Sequence, residues 1–421
     1  MTDLLIKNGL LVDPVLGERR GDLLLRRGRI ARRGGSITAA GAEVFDASGL
    51  WVFPGFIDAH VHAREPGAEE AETIASVSAA AAAGGVASIL LMPNTSPAMA
   101  SPALLRRYRR RAAAVPVNVY FSAAATAGRL GREPGVFSAL KKAGAVALTD
   151  DGSALPPRLL SELIRLARRA KLPLLDHPED FSLTGAGVCH PAAARRLGLR
   201  PISDRAEWLA VLRDVFAAAC AGPLHLQHLS LAASVAALKA AKAAGWPVTG
   251  ETCPHYFTLS ERDIRRDDAS FKMKPPLRSE TDRRAVLRAV GNGTIDLIAS
   301  DHAPHAAAGK AGGFKTAPFG AIGLETLAPL CITELVLKNT VTRQRLAQLL
   351  CSNPAGLLGL RRKGSLRPGS DADVTVLDPR RARRVPGTFV SRSANSPFIG
   401  RLLRGWPALT VVRGRVVYRG A

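Results

Sequence analysis

The sequence has few cysteines, few aromatic residues and no long apolar run. Its five cysteines are scattered and form no C-x-x-C pair, which fits reduced thiols better than a disulfide framework. No apolar stretch reaches the roughly 18 residues that a membrane-spanning helix needs, and the N-terminus carries no signal-peptide pattern. We therefore expect a cytoplasmic protein that makes no contact with a membrane.

Acidic residues are also scarce, because 35 Asp and Glu face 58 Lys and Arg and the formal net charge is +23. Such a charge is compatible with nucleic acid or an acidic partner. The basic residues are mostly Arg in short clusters, without the interleaved aromatic rings that a single-strand binding platform needs. We interpret them as a solvated surface that can attract an anionic substrate. Nucleic-acid binding, which salt would weaken steeply, is the disfavoured alternative.

The middle of the chain alternates apolar, strand-like runs with helical segments. An apolar content of 47% is enough for a large core, and eight strand–helix pairs predict an α/β fold, a (β/α)8 barrel of the TIM type. The expected strands are 51–58, 86–92, 117–123, 145–149, 172–176, 223–229, 247–251 and 296–300. The expected helices are 70–83, 102–113, 135–143, 157–170, 205–220, 231–244, 281–290 and 323–337.

Both ends of the chain differ from the middle in their predicted secondary structure, which consists of short strands and tight turns. Asn8-Gly9 and Arg27-Gly28-Arg29 have the composition of hairpin turns, and 410–418 is typical of a strand, a turn and a second strand. We expect the two ends to meet in one small β-sandwich domain. The predicted division assigns 1–50 and 356–421 to this domain and 51–355 to the barrel.

Two histidines stand at the end of the first predicted barrel strand. Residues i and i+2 of a strand point to the same face, so His60 and His62 project side by side, with Arg64 next on that face. Two imidazoles so placed can share a cation, since histidine nitrogen is a common Zn²⁺ ligand. The alternative is a pair of ordinary polar residues at a strand tip.

Five further predicted strands end in polar side chains, where a barrel places its reactive groups. The segments are 92–95, 149–152, 176–180, 225–228 and 300–305. Their histidines and aspartates favour a site for two cations, with His60, His62 and Asp301 on one, His177 and His228 on the other, and Asp151 as the bridging carboxylate. Paired cations promote the ionisation of a shared water. Nitrogen and oxygen donors suit Zn²⁺, and Mn²⁺ or Co²⁺ accepts the same donors.

Taken together, these motifs resemble the dihydroorotase family of the amidohydrolase superfamily, nearly from end to end. The motifs are 60–67, Met92-Pro93-Asn94-Thr95, Thr149-Asp150-Asp151-Gly152, 271–278, Asp301-His302-Ala303-Pro304-His305, Ala317-Pro318-Phe319-Gly320 and Asn395-Ser396-Pro397-Phe398. The resemblance implies a zinc-dependent enzyme that reversibly hydrolyses dihydroorotate to N-carbamoyl-L-aspartate in the synthesis of pyrimidines and UMP. It also implies two partners, a second copy of the chain in a homodimer and aspartate transcarbamoylase.

The resemblance assigns a role to each residue at a matching position. The metal ligands are His60, His62, Asp151, His177, His228 and Asp301, and the substrate contacts are Arg64, Asn94, Lys274, His305, Phe319 and Gly320. Arg64 and Asn94 would bind the substrate carboxylate. Asp301 would act as general base towards the attacking water and then as acid towards the leaving nitrogen.

Lys274 stands where the family usually has Asn, so another cyclic amide hydrolase is an alternative. Hydantoinases, dihydropyrimidinases and allantoinases bridge their metals with a carboxylated lysine, whereas this chain has Asp150-Asp151-Gly152, which favours dihydroorotase. A non-catalytic dihydroorotase-like subunit is a third interpretation, and the complete ligand set disfavours it. The Ala/Gly-rich segment 306–314 is expected to form a mobile lid.

The remaining polar residues near these motifs are assigned supporting or solvated positions. Asp58 is expected to support the strand that carries His60 and His62, either as a carboxylate behind a ligand or as a structural residue. His255 stands at the end of the seventh predicted strand, where a structural role is favoured over support of a ligand, and Glu179 and Asp180 are expected to be exposed or structural.

Overall fold

The computed structural model describes residues 2–420, and eight parallel strands close into a barrel at its centre. In chain order the strands are β1 (Leu4–Asp13), β2 (Gly17–Arg26), β3 (Arg29–Gly34), β4 (Glu43–Asp46), β5 (Trp51–Pro54), β6 (Phe56–Val61), β7 (Val86–Leu91), β8 (Asn118–Ala124), β9 (Ala145–Thr149), β10 (Leu175–Asp176), β11 (Leu224–Leu226), β12 (Val248–Thr252), β13 (Leu297–Ile298), β14 (Val374–Arg384), β15 (Leu402–Val412) and β16 (Arg415–Arg419).

Helices follow the barrel strands and cover them. They are α1 (Ile74–Ala83), α2 (Pro102–Arg111), α3 (Phe137–Ala143), α4 (Leu160–Ala170), α5 (Phe181–Thr184), α6 (Pro191–Leu197), α7 (Arg205–Ala221), α8 (Ala232–Ala243), α9 (Pro254–Thr258), α10 (Glu280–Gly291), α11 (Ala307–Lys310), α12 (Gly313–Thr316), α13 (Leu324–Cys331), α14 (Arg343–Ala347) and α15 (Asn353–Leu357). None of the helices within residues 2–420 is long and apolar enough to cross a membrane.

The barrel consists of two four-stranded runs, β6-β7-β8-β9 and β10-β11-β12-β13. Parallel bridges between Leu148 and Leu174 and between Val61 and His302 join the runs on both sides. The predicted (β/α)8 barrel is therefore confirmed, and its carboxyl-end rim collects the segments that follow each strand.

Local sequence explains why the barrel strands form and where the first helix begins. Every residue of β6 and β7 is buried, as expected for parallel strands that are covered on both faces. Thr73 caps α1 by accepting a hydrogen bond from the Ser76 backbone N–H at 3.1 Å. Gly84 ends α1 where no side chain fits, since a Cβ there would lie 2.2 Å from the Leu324 carbonyl oxygen.

Strands from both chain ends form a second, eight-stranded sheet with the order β16-β15-β14-β5-β1-β2-β3, in which β4 also pairs with β1. Apolar side chains from both ends, among them Ile6, Leu23, Val374 and Leu409, pack into one core. A sheet built by the two chain ends is therefore confirmed, whereas the division of the chain into domains at residues 50 and 355 stays a prediction.

Two local predictions were wrong. Asn8-Gly9 is a bulge inside β1, because β1 pairs with β2 on both sides of it, and a Cβ on Gly9 would lie 2.6 Å from Val52. The strand predicted at 51–58 divides at Gly55, so that β5 joins the terminal sheet and β6 opens the barrel. Gly55 is required at this crossing, since a Cβ there would lie 2.5 Å from the Ala87 side chain.

Candidate metal centre and substrate pocket

Six buried side chains converge at the carboxyl-end rim of the barrel. His60 lies in β6 and His62 just after it, and the others follow β9, β10, β11 and β13 as Asp151, His177, His228 and Asp301. The backbone of His228 and Asp301 has a positive φ, 35° and 46°, a conformation that is strained for residues with a Cβ and is concentrated at functional sites. The fold thus brings together all six predicted ligands.

Asp151 lies at the centre of this cluster. Its Oδ1 is 3.3 Å from His60 Nε2, 3.4 Å from His177 Nδ1 and 3.8 Å from His228 Nε2, and its Oδ2 is 3.5 Å from His62 Nε2. A carboxylate that faces four imidazole nitrogens is placed to join two ligand groups.

The remaining distances place Asp301 beside His60 and His62, and His177 beside His228. Asp301 Oδ1 lies 3.2 Å from His62 Nε2 and 3.6 Å from His60 Nε2. On the other side of Asp151, His228 Nε2 lies 2.9 Å from His177 Nδ1. His60 with His62 and Asp301, and His60 with Asp151 and His228, each place three ligand atoms within 4.8 Å of one another.

The residues present fit divalent cations. His60 Nε2 is buried among these groups without any hydrogen-bond partner, and a bound cation would satisfy that nitrogen. The donors are imidazole nitrogens and carboxylate oxygens, a set that suits Zn²⁺ and related metals. Cys253 is buried nearby, and burial raises the pKa of its thiol well above the ordinary value.

The charges of the cluster favour ionised carboxylates. Burial alone would raise the pKa of Asp151, but His60 and His177 outweigh burial and hold that pKa well below its usual range. Asp301 also has a lowered pKa, because the nearby His60 and His62 overcome its burial. Burial opposes protonation of His60, and Asp151 and Asp301 nevertheless raise its pKa. Both carboxylates are therefore ready to bind a cation.

A buried carboxylate that the sequence reasoning missed stands behind His60. Glu251, in β12, accepts from His60 Nδ1 at 2.8 Å and lies 3.2 Å from His225 Nε2. His60 and His225 outweigh burial and lower the pKa of Glu251 to about 2. A carboxylate on one nitrogen fixes the ring of a metal-binding histidine, so Glu251 turns His60 Nε2 into the cluster. The feature of the sequence that could have identified Glu251 is its position at the end of a predicted strand.

Glu179 was expected to be exposed or structural, and the structure excludes the exposed position. Its side chain is buried and lies 3.0 Å from His177 Nε2 and 3.2 Å from Lys274 Nζ. Burial opposes protonation of His177, but hydrogen bonds to Asp151 and Glu179 outweigh it and raise its pKa to about 9. The His-Pro-Glu spacing places Glu179 beside His177 once the strand ends, a signal that the sequence contained.

Asn94 and Asp58 position the segment that carries His60 and His62. Asn94 Oδ1 lies 2.9 Å from His62 Nδ1, so Asn94 directs His62 Nε2 towards Asp301. Asp58 accepts from the backbone N–H of His60 and of Ser300, both at 3.1 Å, and thereby ties β6 to the end of β13. Burial raises the pKa of Asp58 to about 6. The expected supporting role of Asp58 agrees with these contacts, whereas His255 has a buried ring nitrogen without a partner.

A cavity of about 250 Å³ opens over the cluster. It is lined by His62, Arg64, Asn94, Asp151, Gly152, His177, His228, Lys274, Asp301, Ala303, Phe319 and Gly320. Arg64 donates from Nε to the Pro304 carbonyl at 3.0 Å, and its Nη2 lies 3.2 Å from His305 Nε2. Five of the six predicted substrate contacts thus line the cavity, and His305 stands directly behind Arg64.

The far wall of the cavity is the loop that runs from His305 to Gly320. His305 Nε2 lies 2.8 Å from the Phe319 carbonyl oxygen. Gly320 has φ +137°, and a Cβ there would lie 2.6 Å from Ala303. Between them, 306–314 contains α11 and the start of α12, with Phe314 fully buried. The segment that was expected to form a mobile lid is anchored by Phe314, whereas five of its residues are exposed, and its mobility stays a prediction.

Comparisons with known proteins agree with this site. The model of the amidohydrolase family matches residues 51–417. The chain is 43% identical to a dihydroorotase of Pelotomaculum thermopropionicum over 98% of both chains, and 42% identical to one of Solibacter usitatus over 98% of this chain and 97% of that one. The chain therefore belongs to the amidohydrolase family. Within that family its curated relatives at this identity are dihydroorotases, which confirms the resemblance seen in the motifs.

Solved structures give the same fold. An L-hydantoinase (dihydropyrimidinase) from Arthrobacter aurescens superimposes with a TM-score of 0.89 at 27% identity, covering 100% of this chain and 96% of that chain. A dihydropyrimidinase from Brevibacillus agri gives 0.87 at 25% identity, covering 99% and 95%. The chain is thus a hydrolase of the cyclic-amide type, and its site is a candidate metal centre.

Proposed function

We propose that this protein is a metal-dependent dihydroorotase, which reversibly hydrolyses (S)-dihydroorotate to N-carbamoyl-L-aspartate in pyrimidine (UMP) synthesis. The observation that carries the proposal is the six-residue His/Asp cluster under a cavity lined by Arg64. Identity of about 40% to curated dihydroorotases over nearly the whole chain supports it.

Two divalent cations, which we propose to be Zn²⁺, would be held by His60, His62, Asp151, His177, His228 and Asp301. Such cations lower the pKa of a water and polarise a carbonyl oxygen. The support for two cations is the central position of Asp151, with histidine nitrogens on both sides of it.

Arg64 and Asn94 would orient the substrate. No carboxylate of residues 2–420 lies within ion-pair distance of the Arg64 guanidinium, so its charge is available for the carboxylate of dihydroorotate. A guanidinium can bind a carboxylate through two parallel hydrogen bonds. Such a contact would fix the ring with its amide carbonyl over the His/Asp cluster, while the backbone of Phe319 and Gly320 and the side chain of His305 complete the wall.

Asp301 would carry the proton of the reaction. It is an ionised carboxylate with its Oδ1 3.2 Å from His62 Nε2, so it can accept one proton of the water that adds to the ring carbonyl, while the second proton of that water is lost to solvent. When the carbon–nitrogen bond breaks, Asp301 returns the proton to the leaving nitrogen, which leaves a carboxylate on the opened chain. General acid–base transfer of this kind contributes about 10²- to 10⁴-fold to rate.

Hydantoinase-like activity is the second candidate, favoured by the superimposed hydantoinase structures. Two observations disfavour it. The single lysine that lines the cavity, Lys274, is paired with Glu179, and Lys141 and Lys142 are exposed on α3, so no lysine is placed to bridge metals. Hydantoins also lack the carboxylate that Arg64 would bind.

The test is hydrolysis of L-dihydroorotate, hydantoin and allantoin by the purified protein, with bound metal counted in the same sample. We expect turnover of dihydroorotate at about two metals per chain and a loss of about 10²-fold or more in Asp301→Ala. Full metal without dihydroorotate turnover would favour the hydantoinase alternative. Absence of both metal and turnover would favour a non-catalytic subunit.

Assembly and location belong to the same proposal. A homodimer and a complex with aspartate transcarbamoylase rest on the family resemblance, and sedimentation of the protein alone and with that enzyme tests both. A cytoplasmic location is supported by five unpaired cysteines. Nucleic acid is not proposed as a partner, and the absence of binding at moderate salt would confirm that.

A further inference from the structure

Two cationic side chains line the cavity, and their surroundings differ. Arg64 makes its contacts with a backbone carbonyl and a neighbouring histidine. Lys274 Nζ lies 3.2 Å from Glu179 Oε2, 4.1 Å from the centre of the Phe181 ring and 5.3 Å from that of Phe319. The charge of Lys274 is therefore already met by a carboxylate and two aromatic faces, whereas that of Arg64 is not.

The groups that hold Lys274 also hold His177. Glu179 Oε2, which pairs with Lys274, lies 3.0 Å from His177 Nε2. Phe181 stacks on the His177 imidazole, with ring centres 6.0 Å apart and planes inclined by 20°, and its ring also faces the ammonium group of Lys274. Lys274 thus contacts two groups that each contact the His177 imidazole, the Glu179 carboxylate and the Phe181 ring.

Glu179 is fixed from a third side. Thr184 in α5 donates to Glu179 Oε1 at 3.1 Å, so both carboxylate oxygens have partners. This leaves Glu179 one orientation, in which His177 Nδ1 faces Asp151 at 3.4 Å. A carboxylate on the outer nitrogen of a metal-binding histidine typically changes metal affinity by about 10- to 100-fold.

We propose that Lys274 is a positioning residue of the metal centre, which acts on His177 through Glu179 and Phe181, and that Arg64 alone provides the cation for the substrate carboxylate. This inference rests on the proposed function and revises the substrate contact that the sequence assigned to Lys274. It explains how a lysine replaces the usual Asn without adding a free positive charge to the cavity, and it restricts the substrate to one anionic group at the Arg64 end.

The test measures metal affinity separately from turnover. Co²⁺ is titrated into metal-free protein against a competing chelator, and KM for dihydroorotate is measured at saturating metal. Glu179→Gln is expected to weaken the more weakly held Co²⁺ by about 10- to 100-fold, and Lys274→Met to weaken the same step by a smaller factor. Glu179→Gln with Lys274→Met should be no weaker than Glu179→Gln alone, because both act on one imidazole.

The matched controls make the same charge changes at exposed residues that do not contact the site. Lys239→Met and Glu162→Gln alter exposed residues on α8 and α4 and should leave both constants unchanged. In Lys274→Met, KM at saturating metal should stay within about two-fold, while Arg64→Lys should raise KM and leave Co²⁺ affinity unchanged. Lys274→Asn, the residue usual in the family, should behave as Lys274→Met does.

The opposite pattern would overturn the inference. If Lys274→Met raised KM about ten-fold or more with unchanged Co²⁺ affinity, a loss typical of a charged hydrogen bond, Lys274 would bind substrate directly. If the wild-type protein bound Co²⁺ in this manner but did not hydrolyse dihydroorotate, the substrate assignment would fail and the positioning role would stand. A wild-type protein that binds no Co²⁺ would overturn both.

Discussion

The cavity has two sides, and different parts of the molecule hold them. We call the first the metal side, which consists of His60, His62, Asp151, His177, His228 and Asp301, and the second the substrate side, which consists of Arg64, His305, Phe319 and Gly320. Lys274 lines the cavity but supports the metal side through Glu179, and Asn94 contacts His62 and so belongs to both sides. The metal side stands at barrel strand ends and is backed by buried carboxylates such as Glu251 and Glu179. Much of the substrate side lies on the longer loops after those strands.

A residue from the C-terminal part of the chain supports the substrate side. Asn395 lies in the connection between β14 and β15, and its side chain accepts from the His305 backbone N–H at 3.1 Å. It also donates to the carbonyls of Ala303 at 3.2 Å and Gly320 at 3.0 Å. The barrel therefore positions the candidate metal ligands, whereas the candidate substrate contacts depend on a segment that returns from the terminal sheet.

From this difference we expect that metal affinity and substrate affinity can be changed separately in this protein. Changes behind the metal side should alter metal binding and thereby turnover. Changes on the substrate side should raise KM and leave the metal content as it is. Each of the following variants tests one half of that separation.

The largest effect is expected from Glu251→Gln. Gln keeps one acceptor oxygen but loses the negative charge and the second acceptor that Glu251 offers to His60 and His225, so metal affinity should fall by about 10- to 100-fold and turnover should fall with it at limiting metal. Bound metal after dialysis against a chelator is the measurement, and Glu162→Gln on exposed α4 is the control. Retention of full metal in Glu251→Gln would contradict the role of this carboxylate.

An intermediate effect is expected from Arg64→Lys. A lysine keeps the charge but loses the planar fork that matches a carboxylate, so KM for dihydroorotate should rise by about ten-fold, which corresponds to roughly 1.4 kcal/mol. The metal content should not change. Arg132→Lys, at an exposed position, is the control, and an unchanged KM in Arg64→Lys would place the substrate carboxylate elsewhere.

The division into a metal side and a substrate side also explains which site residues could be predicted from the sequence. His60, His62 and Asp301 were predictable because a strand of period two and a barrel rim fix where such side chains point. Glu179 and Glu251 were not assigned to the site, since a carboxylate two residues after a ligand or near a strand end is a weak signal that fits a structural residue equally well. The contacts of Asn395 join residues about 75 to 92 positions apart, and no local periodicity reports such a pairing.

The smallest effect is expected from Asn395→Ala, and this variant tests most directly whether the metal side and the substrate side can be changed separately. This change leaves the Ala303 and Gly320 carbonyls and the His305 N–H without their partner, and each such loss costs about 1 kcal/mol. Water can replace part of these contacts because the wall borders a cavity, so we expect KM to rise about three- to ten-fold with kcat and bound metal unchanged.

Asn395→Asp keeps the acceptor for His305 but loses both donated bonds, and it should not restore KM. Arg392→Ala, an exposed neighbour in the same connection, controls for general loosening of the segment. A fall in bound metal in Asn395→Ala would mean that the two sides are one unit, because then a contact made only on the substrate side would also hold the metal ligands in place.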